Sequence, residues 1–418
     1  MAFLFCSSGL RFRPLVLGLL SMVLFLSSPS FANLEEVKGL ITYHWYDQAW
    51  QALQSYPPDD EEVLFLKAKT LLGLKKYEES LELFKNLSLE ATDKEMRQES
   101  AMKEAIVLVR LKRYPEALHI YKDLLHHFKT GKMGKKLTWH AFKVALESKD
   151  FEEGLKMLRN LSGAEVFWWR GWCYFRLGQQ ERAIRQWNLV TKRSPFYPGA
   201  LYWKGMALHD GNILQTLVKQ YPMSYYGFLA LFELSLALPP EGEGVHRWQL
   251  EEKYPRHYRE WIEKNAKRNG LDPNLIFAVI FQESHFREEV VSPVGAIGLM
   301  QLMPQTALKL VQASQMKYFH LPELFNADVN IRLGTLYIKF LKKLFSSDVS
   351  NTVAAYNSGE EAVSRWLSLR KGESDAVFIE EIPFDETQQY VKKVLTAAWI
   401  YHWLYEGSLP DFLKLTPP

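Results

Sequence analysis

The sequence predicts an all-α protein with two helical parts, and three observations support this prediction. Amphipathic helical patterns occupy nearly all of the chain from about residue 35 to 235. A break at 238–245, rich in proline, glycine and glutamate, interrupts them. The chain is also 418 residues long, which is more than one hydrophobic core usually organises. We therefore expect a helical superhelix at 33–237, a linker at 238–252 and a second helical domain at 253–410.

Residues 1–32 are predicted to be a secretory signal peptide. Arg11 and Arg13 precede an apolar run over 15–26, and a small-x-small cleavage site ends at Ala32. The apolar run is shorter than the roughly 20 residues that a membrane-spanning helix needs. We expect export to the periplasm, cleavage after about Ala32 and no stable membrane span afterwards.

Charge argues against a nucleic-acid-binding protein, and the cysteine content argues against a disulfide-stabilised one. The formal net charge is +3, and two of the contributing arginines belong to the predicted signal peptide, so the mature chain is close to neutral. Such a balance argues against nucleic-acid binding. Loss of Cys6 with the signal peptide leaves Cys173 alone, and we expect stability to come from packing without an intrachain disulfide.

A short turn followed by an amphipathic helix recurs within the first helical part. The recurring segments are 46–50, 77–81, 114–118, 151–155 and 180–184. Their spacing lies near 34 residues and resembles that of tetratricopeptide-type helical hairpins, which stack because one hairpin cannot bury its apolar face alone. The irregular spacing leaves two alternatives open, a looser superhelix and a generic all-helical domain. His126 and His127 are expected on the surface.

Glu283 is the most informative residue of the second helical part. Asp272 and Pro273 are typical of a helix start, and the predicted helix continues to about Phe286. Glu283 lies on the apolar stripe of this helix, near its C-terminal end. Burial and the helix dipole both favour the protonated carboxyl there, and we expect its pKa to rise toward about 6. The alternative to a general acid is a structural carboxylate paired with Arg287.

A glycine-containing loop follows this helix and is a candidate binding element. Gly295 and Gly298 allow tight turns and close approach of a ligand. The Gln301 amide can donate and accept hydrogen bonds, while Met300 and Met303 offer adaptable apolar contact. This combination suits a sugar with an N-acetyl group. The loop taken alone is equally compatible with a plain structural turn.

Two later segments carry further candidate binding groups. A predicted helix ends at an Asn/Gly turn that presents the phenol of Tyr356 and the amide of Asn357. Glu386 opens the last long predicted helix, where the helix dipole stabilises an ionised carboxylate.

Four segments, in this order, resemble the motifs of the soluble lytic transglycosylases. They are 283–286 (ESHF), 298–307 (GLMQLMPQTA), 355–359 (AYNSG) and 382–391 (IPFDET, then YV). Residues 222–227 also resemble the segment that joins the helical superhelix of this family to its catalytic domain. The resemblance is strong over about 220–400 and loose over the repeats.

The resemblance implies a lysozyme-like domain that cleaves the bond between N-acetylmuramic acid and N-acetylglucosamine in peptidoglycan and leaves a 1,6-anhydromuramoyl end. Glu283 matches the single catalytic acid of the family. The matching substrate-binding positions are Ser292, Gln301, Met303, Tyr356 and Glu386, to which we add Met300 and Asn357 on their chemistry. The family implies no metal and no cofactor. Glycan strands are the expected partner, and the repeats are candidates for docking cell-wall synthesis or division proteins.

Three residues depart from the family pattern. Glu360 and Glu361 occupy a turn where the family commonly has proline and glycine, and Ala327 stands where a proline is usual. These departures affect turn geometry more than catalysis. His285 is interpreted as a surface or secondary contact. Two functional alternatives remain open, a hydrolytic muramidase and a catalytically inactive peptidoglycan-binding adaptor.

Overall fold

The computed structural model describes residues 33–128, 131–236 and 246–410, except 315, 317 and 371, together with residue 415. The predicted signal peptide and the 238–245 break lie outside these residues. Every regular element in the described part of the chain is a helix, apart from two isolated β-bridges within residues 291–302. The predicted all-α class is confirmed.

Thirteen of the described helices precede the break. They are α1 (Leu34–Thr42), α2 (Tyr46–Leu53), α3 (Glu61–Gly73), α4 (Tyr77–Glu90), α5 (Lys94–Arg110), α6 (Tyr114–His127), α7 (Gly131–Glu147), α8 (Phe151–Leu158), α9 (Ala164–Arg176), α10 (Gln180–Trp187), α11 (Tyr197–Leu208), α12 (Gly211–Gln220) and α13 (Tyr225–Glu233).

The described part of the chain after the break is also helical. Its helices are α14 (Arg247–Lys253), α15 (Arg259–Asn269), α16 (Pro273–Ser284), α17 (Pro304–Ala313), the 3-10 helix Leu321–Phe325, α18 (Ala327–Leu344), α19 (Val349–Ser358), α20 (Glu360–Leu367), α21 (Asp375–Glu380) and α22 (Asp385–Glu406). The end of the predicted linker is therefore helical, because α14 covers 247–253. The domain boundaries read from the sequence stay a prediction.

The predicted recurring segments coincide with real helix starts. Helices α2, α4, α6, α8 and α10 begin at the first residue of the five segments. In each case the residue two positions earlier has a positive φ, between 61° and 71°. His209 repeats this geometry before α12, which is a sixth copy that the sequence pattern missed. A left-handed residue reverses the chain between the helices of each hairpin, so one turn geometry generates the repeat.

Buried apolar side chains form three clusters along the described residues. The first joins α1 to α3, the second joins α3 to α7, and the third extends from Phe142 on α7 to Leu404 on α22. The last helices of the superhelix therefore share one hydrophobic core with the C-terminal part. Among the helices described, none combines the length and the hydropathy needed to cross a bilayer.

The first half of the superhelix contacts the C-terminal part at several places. The Tyr43 ring, after α1, lies against Gly295, where an added Cβ would be 2.8 Å from the ring. Lys112 Nζ donates to Ser368 Oγ at 2.9 Å. Farther along, the Lys143 ammonium pairs with Asp385. The last of these contacts places α7 beside the start of α22.

Candidate active site

Helix α16 carries the candidate acid. The Asp272 carboxylate accepts the Leu275 N–H at 2.8 Å, and Pro273 is the first helical residue, which confirms the predicted start. The helix ends at Ser284, two residues before the predicted end. His285 and Phe286 both have positive φ, 50° and 59°, and this conformation stops the helix. Glu283 consequently lies in the last turn of α16.

Glu283 is half-buried and is held by a phenol. The Tyr390 hydroxyl on α22 donates to Glu283 Oε1 at 2.6 Å. Burial raises the pKa of Glu283 to about 7, the negative charge of Glu386 acts in the same direction, and the hydrogen bond from Tyr390 opposes the rise. A carboxyl with this pKa exists in both protonation states near neutral pH, which is what a group that both donates and accepts a proton requires.

The ion-pair alternative for Glu283 is wrong. Arg287 turns back onto its own helix, where its Nε donates to the Ser284 carbonyl at 3.1 Å. No ion pair joins Glu283 to any of the residues that the structure describes. The surroundings of Glu283 therefore favour its protonated carboxyl, and no cation among the described residues holds it in the ionised form.

Tyr356 is placed beside Glu283 by the glycine loop. Its hydroxyl donates to the Met300 carbonyl at 2.8 Å, and its ring packs on Tyr337 with centroids 5.4 Å apart. Burial raises the pKa of the Tyr356 phenol well above its ordinary value, and the nearby Glu283 carboxylate raises it further. The phenol of Tyr390 is shifted in the same direction for the same two reasons. Both phenols are therefore neutral donors in the site.

A fully buried asparagine, Asn330 on α18, holds the loop in place. Its Oδ1 accepts the Met300 N–H at 2.8 Å, and its Nδ2 donates to the carbonyls of Leu324 at 2.7 Å and Ile297 at 3.0 Å. Gly298 has a φ of +79°, and a Cβ there would lie 2.3 Å from the Leu324 carbonyl oxygen. The loop therefore requires this glycine. Sequence reasoning missed Asn330, although a polar residue among the apolar positions of α18 was a usable signal.

Met300 needs a correction. The Met300 side chain is not accessible for the expected apolar contact with a ligand, because it is fully buried and its sulfur packs against Gly334. The loop turns this side chain inward while its backbone bonds to Asn330 and Tyr356. Met300 thus contributes a carbonyl that positions Tyr356.

The other predicted loop residues stay at the surface of the loop. The Gln301 Nε2 donates to the carbonyls of Gly298 at 2.8 Å and Val290 at 3.0 Å, which leaves its Oε1 without a hydrogen bond from the described residues. Ser292 Oγ accepts the Ala296 N–H at 2.9 Å. Met303, like Ser292 and Gln301, is half-buried, and it precedes α17.

The third and fourth motifs are joined by one hydrogen bond. The Thr387 hydroxyl on α22 donates to Asn357 Oδ1 at 2.6 Å. Asn357 therefore ties the end of α19 to the first turn of α22, in addition to any contact with a ligand. Glu386 is exposed in that first turn, and its charge acts on Glu283. Hydrogen bonds thus link the four motifs to one another: Tyr390 to Glu283, Tyr356 to Met300 and Thr387 to Asn357.

The departures from the family pattern have local explanations. Gly359 reverses the chain with a φ of +83°, and Glu360 then opens α20. Glu361 faces the superhelix, where it pairs with Lys75 at 2.9 Å and accepts the Tyr77 hydroxyl. Ala327 opens α18 after the capping residue Asn326, so a proline is not needed for the start.

The His285 side chain is exposed and its ring lies 4.8 Å from that of Phe281, which agrees with a secondary contact. Throughout the described part of the chain, no group of three or more His, Cys, Asp or Glu side chains could hold a metal ion.

The fold and the site together define a helical-repeat protein whose C-terminal part holds a titratable glutamate that accepts a hydrogen bond from a phenol and has no cationic partner among the described residues. Residues 260–379 match the family described as "Transglycosylase SLT domain", and residues 165–196 match a tetratricopeptide repeat. The resemblance to the soluble lytic transglycosylases is thereby confirmed. The first of these matches includes Glu283 and Tyr356.

Curated relatives support this resemblance over part of their length. The soluble lytic murein transglycosylase of Escherichia coli K12 is 36% identical over 169 residues, which are 40% of this chain and 26% of that protein. The protein of the same name from Salmonella typhimurium is 38% identical over 148 residues, or 35% of this chain and 23% of that protein. The matches span about a quarter of these relatives.

Solved structures resemble nearly the whole chain in fold. An inactive mutant of the lytic transglycosylase Slt from Pseudomonas aeruginosa aligns with a TM-score of 0.59 at 19% identity, covering 96% of this chain and 94% of that one. The 70 kDa soluble lytic transglycosylase of Escherichia coli aligns with a TM-score of 0.50 at 19% identity, covering 95% and 76%. At this identity the likeness describes the fold alone.

Proposed function

We propose that this protein is a peptidoglycan lytic transglycosylase. It cleaves the glycosidic bond between N-acetylmuramic acid and N-acetylglucosamine and forms a 1,6-anhydromuramoyl end. The observation that carries the proposal is the Glu283 carboxyl, which has a pKa of about 7, a phenol as its hydrogen-bond donor and no cationic partner among the described residues.

In the first step, protonated Glu283 acts as the general acid. It gives its proton to the glycosidic oxygen as the bond from that oxygen to C1 of the muramoyl residue breaks. Most glycosidases use a second carboxylate to stabilise or attack C1. Here the N-acetyl group of the substrate supplies that stabilisation. The charge of Glu386 helps by keeping Glu283 protonated before the step.

In the second step, ionised Glu283 acts as the base. It accepts the proton of the C6 hydroxyl while O6 bonds to C1, so the proton balance of the enzyme is restored. The nucleophile belongs to the same sugar ring, and this tethering raises its effective concentration. Between the two steps the Tyr390 hydroxyl stabilises the Glu283 carboxylate through the 2.6 Å hydrogen bond.

The remaining motif residues bind the saccharide. Gln301 offers as an acceptor its Oε1, which accepts no hydrogen bond from the described residues, and Ser292, Met303 and Asn357 border the proposed saccharide cleft. Tyr356 and Glu386 lie nearest the reacting ring. The superhelix steers glycan strands toward this cleft or docks cell-wall synthesis or division proteins, and the signal peptide directs the protein to the periplasm.

Glu283→Gln tests the proposal most directly. We expect the release of soluble fragments from peptidoglycan sacculi to fall by about 10²- to 10⁴-fold, because the amide neither donates nor accepts the proton. Binding of the sacculi should persist. Glu289→Gln is the matched control, since Glu289 is an exposed carboxylate six residues away, and its rate should equal that of the wild type.

The mass of the released fragments separates the alternatives. Anhydro products contain one water less than hydrolysed products. Fragments with hydrolysed ends would identify a muramidase. Binding without any release by the wild-type protein would instead identify an adaptor and contradict both enzymatic readings.

A further inference from the structure

Polar contacts join helices α16 and α22 at both ends. At one end the Tyr390 hydroxyl of α22 donates to Glu283 Oε1 of α16 at 2.6 Å. At the other end His402 of α22 lies beside Asp272, the residue that caps α16. Asp272 precedes Glu283 by 11 residues, and His402 follows Tyr390 by 12. At about 1.5 Å per residue these spans are about 16 and 18 Å, so the two contacts fit one register of an antiparallel helix pair.

His402 is buried, with a carboxylate at each ring nitrogen. It is 2% exposed. Its Nε2 lies 3.1 Å from Asp272 Oδ2, and its Nδ1 lies 3.2 Å from Glu406 Oε2. The fully buried amide of Asn274, on α16, donates to Glu406 Oε1 and lies 3.3 Å from His402 Nδ1. The imidazole is therefore held in one orientation, because any other would leave buried polar groups without these contacts.

The Asp272 carboxylate connects this cluster to the start of α16. Its Oδ1 accepts the Leu275 N–H at 2.8 Å and so caps the helix, while its Oδ2 faces His402. Among the described residues, Lys342 on α18 also borders Asp272, and it forms no ion pair with it. The group that begins α16 is thus fixed to the C-terminal half of α22.

Apolar side chains fill the space between the two ends. The rings of Phe277 on α16 and Tyr401 on α22, for example, have centroids 5.5 Å apart. Apolar packing is non-directional and tolerates a small slide of one helix along the other, whereas a hydrogen bond weakens steeply once its distance or angle changes. Such a slide would lengthen the bond from Tyr390 to Glu283. The register of the two helices therefore controls the bond that opposes the rise of the Glu283 pKa.

We propose that His402 is a positioning residue, whose contact with Asp272 sets the register of α16 against α22 and so holds the Tyr390 hydroxyl on Glu283. The imidazole does not touch the reacting atoms, since it lies about three helical turns from Tyr390 along α22. The importance of this for catalysis rests on the proposed function. The placement of Tyr390 is a property of the fold and is measured without turnover.

Two variants break the contact in different ways. His402→Leu removes both ring nitrogens. Asp272→Asn keeps a side chain that caps a helix about as well as aspartate does, but it removes the charge beside His402. Tyr405→Phe is the matched control. The Tyr405 hydroxyl, at the same end of α22, donates at 2.8 Å to the Tyr254 carbonyl, which does not belong to α16.

The pKa of Glu283 is measured by NMR of protein with ¹³C-labelled glutamate side chains, and Glu283→Gln assigns the signal. We expect His402→Leu and Asp272→Asn to raise this pKa by about 0.3–1 unit, because a longer bond from Tyr390 stabilises the ionised carboxyl less. Loss of a negative charge by itself would lower it, so a rise in Asp272→Asn protein identifies the change of register. Tyr405→Phe should leave it unchanged.

A double-variant comparison shows whether the effect passes through Tyr390. In Tyr390→Phe protein, His402→Leu should shift the Glu283 pKa no further. An unchanged pKa in the folded single variants would overturn the proposal, as would a shift that persists in full without the Tyr390 hydroxyl. If His402→Leu does not fold, Asp272→Asn decides alone. The NMR result is independent of cleavage, so it supports or overturns the positioning role even if the wild type releases no fragments.

Discussion

Two acidic sites of the C-terminal part, Glu283 and the pair Glu380–Glu381, show how partners decide what a carboxylate does. All three residues lie at the C-terminal end of a helix, where the dipole disfavours a negative charge. Glu380 and Glu381 are fully buried, whereas Glu283 is only half-buried. Glu381 is nevertheless paired with two guanidinium groups, those of Arg176 and Arg370.

Glu380 is likewise paired with a cation, and it also accepts hydrogen bonds. Lys392 pairs with its Oε2 at 2.7 Å, while the Tyr226 hydroxyl at 2.7 Å and the Trp203 indole N–H at 3.2 Å bond to its Oε1. Tyr226, Trp203 and Arg176 belong to the superhelix. The glutamate pair thus attaches the C-terminal part to the superhelix. Glu283, with a phenol as its partner, keeps a proton that it can transfer.

The largest stability effect is expected for Glu381→Gln. Loss of the charge leaves the buried Arg370 without an ion-pair partner among the described residues and leaves the half-buried Arg176 with Glu373 alone, and we expect the free energy of unfolding to fall by about 3–5 kcal/mol. Urea denaturation measures the change, with Glu289→Gln as an exposed control that should change it by less than about 0.5 kcal/mol. Burial raises the pKa of Glu381 and the two arginines oppose this. A loss below about 1 kcal/mol would mean that the residue is protonated in the folded protein and that the comparison fails.

Glu283→Gln should have the opposite effect on stability. The folded pKa of about 7 lies above the unfolded value near 4.3. The wild type therefore loses stability as pH rises from about 4.3 to 7, because only the folded state resists ionisation. The variant lacks this loss. We expect it to be more stable than the wild type by about 2–3 kcal/mol at pH 8 and equal to it at pH 4. Paired unfolding curves at several pH values measure the difference, and a difference that does not vary with pH would refute the assignment.

The neighbours of Glu283 should move the pH–rate profile in opposite directions. Since the protonated form starts the reaction, the rate should fall as pH rises through about 7. Tyr390→Phe removes a hydrogen bond that favours the ionised form, so this limb should shift to higher pH. Glu386→Gln removes a negative charge, so the limb should shift to lower pH. We expect each shift to be about one pH unit or less. Shifts in the same direction would show that these residues do not act through the Glu283 pKa.

The smallest effect on stability is expected for the exposed ion pair between Lys75 and Glu361. Lys75 and Glu361 are ion-paired at 2.9 Å, but their side chains are 58% and 36% exposed. Lys75→Ala should lower the free energy of unfolding by less than about 1 kcal/mol, because water already solvates both charges. Thermal unfolding at low and high salt measures it. A fall in the free energy of unfolding as large as that for Glu381→Gln would show that the exposed ion pair contributes as much to stability as the buried ones.

Much of the fold and the site was predictable from local sequence. The recurring segments located five helix starts, and Asp272 and Pro273 located the start of α16, because turn and cap preferences act over a few residues. The apolar stripe identified Glu283 as a candidate, because helical periodicity also depends on residues that are close in sequence. The sixth hairpin at α12 was missed, since its turn geometry repeats while its residue pattern does not.

Long-range contacts account for what the sequence did not reveal. The partner of Glu283 is Tyr390, 107 residues away, and Asn330 reaches the loop from α18. Whether Met300 points outward or inward depends on the space beside Gly334. Only packing of separate helices determines such distances.

The sequence by itself determined the helical class, the repeat and the carboxylate that lies on an apolar helix face, because periodicity and capping are properties of neighbouring residues. The tertiary structure decided which carboxylates would be paired with cations and which would keep a proton. The sequence places glutamates at the ends of α16 and α21 alike. Among the described residues, Arg176 from the superhelix and Arg370 and Lys392 from the C-terminal part reach the second site, and no cation pairs with the first. The cost of burial is therefore offset by opposite charge at Glu380 and Glu381, and at Glu283 it appears as a pKa of about 7.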